Sequence, residues 1–103
     1  MNRKEFLINE LKTDSQDPFN QYLLALEYLK ENNRVEAISL FSKIYKSSPN
    51  YMPLYYTYAI NLIEMQDYHS AKIIINKGIE LAISNNKEKV KNELLQLNEL
   101  YLD

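Results

Sequence analysis

His69 is the only histidine in this chain of 103 residues, and Glu64 and Asp67 precede it closely. Any metal or acid–base chemistry would have to gather at these three. Two ligands on one helix face need i, i+4 spacing, whereas these fall across a helix end and the turn "QDYH". Serines and carboxylates are present, but one imidazole gives no arguable nucleophile–base pairing. Cysteine is absent, which excludes disulfides and thiolate metal sites, and a single glycine excludes a glycine-rich phosphate loop. "KEKVK" reads as the solvated first turn of a helix. The nine tyrosines could stack on bases but lack basic neighbours on the same face. With a net charge of −2, the chain exerts no strong pull on nucleic acid or anionic membrane. The expectation is a protein without catalytic residues, metal, cofactor, nucleic-acid partner or membrane contact.

The elements that would position any binding surface are helices. Hydrophobic residues make up 46% and charged residues 25%, an ordinary soluble composition. One glycine and three prolines leave little material for hairpins. "KIIIN" is the longest aliphatic run, and no signal-like segment follows "MNRKEF". A cytoplasmic address follows as an expectation.

Helical spacing of apolar residues marks six segments: about Asn2 to Lys12, Pro18 to Glu31, Val35 to Lys46, Pro53 to Met65, Ser70 to the "SNN" stretch, and Lys87 to Leu102. Asp17 reads as an N-cap with Pro18 at the first helical position. The short connections imply antiparallel neighbours.

Shifting the sequence by thirty-four residues places Ala25 on Ala59, Ala37 on Ala71, Leu24 on Tyr58, Tyr28 on Leu62, Phe41 on Ile75 and Ile44 on Gly78. Small residues meet small or permitted ones, and large apolar residues meet large apolar ones. Two helices in a period of thirty-four resemble the tetratricopeptide repeat. Repeat one, residues 18–51, has Gln21 where the pattern opens on a large residue. Repeat two, residues 52–85, has Tyr55 there, but Ile83 in place of the closing proline. Residues 1–14 read as the second helix of a truncated repeat, and 86–103 as a capping helix. "DPFNQYLLALEYLK", "SPNYMPLYY" and "NKGIELA" also resemble a group of short bacterial proteins of this family. The implied fold is all-α: a single domain, residues 1–103, built as an antiparallel helical hairpin array, a right-handed α-solenoid of two full repeats between two caps.

The resemblance also implies a function, protein–protein interaction without catalysis. The first helix of each repeat would line a concave groove with Phe19, Tyr22, Leu26, Leu29 and Lys30, then Pro53, Tyr56, Ile60, Ile63 and Glu64. None of these is expected to be needed between the two helices of its own repeat, yet most are apolar. The groove would hold a protein or peptide segment, or serve a homodimer, or be covered by the protein's own terminal helices. Tyr22 and Tyr56 would be its anchors. Gly78 costs a helix interior about 1 kcal/mol relative to alanine. Its place in the repeat implies a close approach of helices, under Leu94 or Leu97 of the cap.

Overall fold

The computed structural model describes residues 2–102. Its helices are α1 (Arg3–Thr13), α2 (Pro18–Lys30), α3 (Arg34–Ser47), α4 (Leu54–Glu64), α5 (Tyr68–Ser84) and α6 (Glu88–Tyr101), and the described residues contain no strand. Every helix lies within about two residues of its expected span. The fold is all-α, a helical repeat.

Four of the six helices start where a side chain takes up an orphan amide; α4, which begins after Pro53, and α6 do not. Asn2 accepts from the Glu5 amide and Asp17 from the Phe19 amide, with Pro18 opening α2. Asn33 and Asp67 do the same for α3 and α5, whereas Lys87 offers α6 no cap. Asp67 draws α5 back to Tyr68. His69 therefore sits in the first turn of that helix, not in the preceding turn as its neighbours suggest.

Three helices end in the same way. After α2, the Asn33 amide donates to the Tyr28 carbonyl at 2.8 Å and the Asn32 amide to Leu29 at 3.0 Å. After α4, Asp67 donates to Leu62 at 2.9 Å and Gln66 to Ile63 at 2.8 Å. After α5, Lys87 donates to Ala82 at 2.8 Å and Asn86 to Ile83 at 3.2 Å. These are Schellman closures, which require a left-handed residue. Asn32, Gln66 and Asn86 take it, at φ of 59°, 64° and 56°. Asparagine tolerates that conformation with little penalty; glutamine does not share its short side chain. The chain turns its helices without glycine.

Between Tyr51 and Met52 the chain divides into two compact units. In the first, α1 and α3 both lie against α2. Leu7, Leu24, Ala25, Ala37, Leu40, Phe41 and Ile44 form its core. Arg3 and Lys4 on α1 reach Glu27 and Glu31 on α2, at 3.4 and 3.1 Å. Lys4 also lies 5.4 Å over the Tyr28 ring. Its hydrogen bond to Glu31 holds the Lys4 ammonium above its ordinary range.

In the second unit α5 lies against both α4 and α6, and α4 also meets α6. Gly78 stands at this three-helix junction. A Cβ built on it would lie 2.7 Å from Leu94 Cδ1, 2.8 Å from Tyr55 Cβ and 3.0 Å from Tyr55 Cγ. Its φ is not positive, so glycine is here for space, not for conformation. The expected contact with Leu94 is present. A stiffer constraint comes from Tyr55 on α4, whose Cβ, unlike the end of the Leu94 side chain, cannot swing aside.

Candidate functional site

The side chains proposed for binding sit on α2 and α4, and each helix is best taken with its own unit. Pro18 and the Asp17 cap start α2 so that Phe19 falls in its first turn. Phe19 is 56% exposed, an unusual position for a phenylalanine. Leu26 and Leu29 are half-buried and continue the same side of the helix at i+7 and i+10. Leu29 also borders a small cleft of about 260 Å³ with the turn residue Asn32 and Arg34, the first residue of α3. Lys30, exposed at the helix end, holds Glu27 at 3.0 Å, so its ammonium is already engaged within α2.

Tyr22 differs from the sequence expectation. Its ring centroid lies 6.0 Å from Phe41 of α3 and 5.7 Å from Tyr51, in tilted and edge-on contacts. Tyr22 therefore takes part in packing α2 against α3, where no intra-repeat role was expected of it. Aromatic pairs at such separations and angles add to the area that the rings bury. Tyr51, which the sequence pattern did not single out, closes the cluster from the end of the unit. Burial pushes the Tyr51 hydroxyl above the ordinary tyrosine range, with Tyr22 and Asp17 adding to the shift.

On α4, Tyr56 is 42% exposed and Ile60 half-buried. Ile63 is 7% exposed and counts with the core, so it offers a partner almost no surface. Glu64 is exposed as the last residue of the helix. The surface residues of the set thus reduce to Phe19, Lys30, Tyr56 and Glu64, with Leu26, Leu29 and Ile60 partly accessible. Spacing placed all of them on helix faces. Which of them a neighbouring helix then covers could not be read from spacing.

His69 is exposed on α5, and no cluster of three or more metal-ligating side chains occurs among the described residues. No helix among them is long and apolar enough to cross a membrane.

No protein-family model matches the chain, and no curated protein does. Solved structures do. A crystal structure of a tetratricopeptide repeat domain protein from Salinibacter ruber is 31% identical, covers 79% of this chain and 90% of its own, and superposes with a TM-score of 0.73. A solution NMR structure of a tetratricopeptide repeat domain protein from the same organism is 29% identical, covers 85% of this chain and 93% of its own, with a TM-score of 0.76.

Proposed function

Because the chain belongs to the tetratricopeptide repeat family, we propose that it is a non-catalytic protein-interaction module in which α2 of the first unit and α4 of the second each offer an apolar face to a protein partner. The observation that supports this reading is the exposure of Phe19 and Tyr56 on those two helices. Each occupies the first turn of its helix, beside a partly accessible stripe of Leu26 and Leu29 or of Ile60. Burying one such side chain is worth roughly 1.5–3 kcal/mol. In each unit, an aromatic anchor with aliphatic neighbours suits an apolar side chain of a partner helix. Lys30 and Glu64, at the helix ends, would form the polar rim.

The experiment is a capture from native cells with the wild-type protein and with Phe19→Glu/Tyr56→Glu as baits. Both replaced residues are exposed, so circular dichroism melts of the two baits should coincide. The proposal expects a partner protein held by the wild type and lost by the variant, with the loss reproduced when both proteins are purified. Equal retention by both baits would reject it. A wild type that light scattering shows as a dimer, and a variant that is a monomer, would assign the faces to self-association instead.

A further inference from the structure

The two units hold their third helices differently. In the second, α6 lies against both α4 and α5 and buries Leu94 and Leu97. In the first, α1 lies against α2, and Leu7 is its one buried side chain. Its neighbours Phe6 and Ile8 are 51% and 36% exposed. Ile8 and Leu11 border a cleft of about 300 Å³, with Leu24 and Tyr28 of α2 and Leu40 of α3 across it. A helix of eleven residues is too short to persist in water by itself. Whatever ties α1 to α2 therefore decides whether it stays helical.

Ionic contacts supply much of that tie. Arg3 reaches Glu27 at 3.4 Å, Lys4 reaches Glu31 at 3.1 Å, and the Lys4 ammonium lies 5.4 Å over the Tyr28 ring. Each charge stands at the end of its own helix that disfavours it. Arg3 and Lys4 open α1, where the macrodipole is positive, and Glu27 and Glu31 close α2, where it is negative. These charges are placed for the pairing between helices, not for the helices that carry them. All four side chains remain in contact with water, so added salt screens the pairs.

The connection between the two helices is pinned on the α2 side. The Ser15 carbonyl accepts from Nε2 of the buried Gln21 at 2.9 Å, and Asp17 caps α2. The start of α2 keeps these bonds when α1 leaves, so the chain turns at Asp14. We propose that α1 is a salt-released strap, which opens about Asp14 while α2 and α3 stay packed and so uncovers Leu24, Tyr28 and Leu40. The strap does not rest on the function proposed for Phe19 and Tyr56.

Amide hydrogen exchange of the isotope-labelled full chain, read by NMR at about 0.02 M and about 0.5 M sodium chloride, tests it. The amides of Leu7 to Lys12 should exchange at least about tenfold faster than those of Leu24 to Tyr28, because α1 opens without the rest of its unit. The higher salt should speed α1 by a further factor of about three relative to α2 and α3. At low salt, Lys4→Glu should speed α1 by at least about threefold, and Lys4→Glu/Glu31→Lys should restore the wild-type rate. Should a variant fail to fold, the salt series on the wild type decides by itself. Equal exchange of α1 and α2, or fast exchange of α1 that salt leaves unchanged, would overturn the proposal. So would a reversed pair that folds but leaves α1 as open as Lys4→Glu does.

Discussion

Two positions thirty-four residues apart are filled in opposite ways by the two units. In the second unit, α4 carries the large Tyr55, and the facing residue of α5 is Gly78. In the first, α2 carries Gln21 at the position of Tyr55, and α3 carries the fully buried Ile44 at that of Gly78. Side-chain volume has moved from the first helix of the repeat to the second. The repeat therefore constrains the space that a pair of positions must fill, not which helix fills it. The third helix also differs. In the second unit α6 presses Leu94 onto the junction, while in the first α1 stands off α3 and leaves a cleft beside Gln21.

The largest test of this comparison is Ile44→Gly, which copies the second unit's glycine without its tyrosine. It should destabilise by about 3–5 kcal/mol, from the cavity and the lost helix propensity together. Adding Gln21→Tyr should recover at least about 1 kcal/mol in a double-mutant cycle from urea melts, because the ring would return the missing volume. Strict additivity would break the proposed equivalence of the two pairs.

Next in size is Gly78→Leu, expected to cost about 1–3 kcal/mol or slightly more through overpacking. Gly78→Ala sharpens the point. Alanine gains about 1 kcal/mol of helix propensity, yet its Cβ would meet the Cβ of Tyr55, which cannot swing aside. A net loss in the thermal melt is expected, and a net gain would show that the junction has room.

Smaller effects probe the features that the units share. Gln66→Gly should stabilise by about 0.5–1 kcal/mol by relieving a left-handed glutamine. Asn32→Gly, at the matching turn of the first unit, should gain less because asparagine already tolerates that conformation. Smallest of all is His69→Ala, which should change stability by less than about 0.5 kcal/mol, as an exposed position does. Stoichiometric metal retained by the wild type and lost in that variant would reveal a site at α5.

The local signals were legible in the sequence by itself. Asp17 before Pro18, and the thirty-four-residue recurrence of alanine and large apolar positions, determined the helices, their approximate ends and the family. Such signals act within a few residues or repeat along the chain, so they survive without knowledge of the third dimension. Gly78 was also legible, because glycine inside a helix has few uses other than close approach. The tertiary structure alone decided the rest. It turned Tyr22 onto Phe41, took Ile63 out of solvent, set Tyr55 against Gly78 and left Gln21 with an unpaired acceptor beside a cleft. Helical spacing names the face a residue occupies. How much of that face is covered depends on how near a second helix lies and how far its side chains reach, and residues distant in the chain set both.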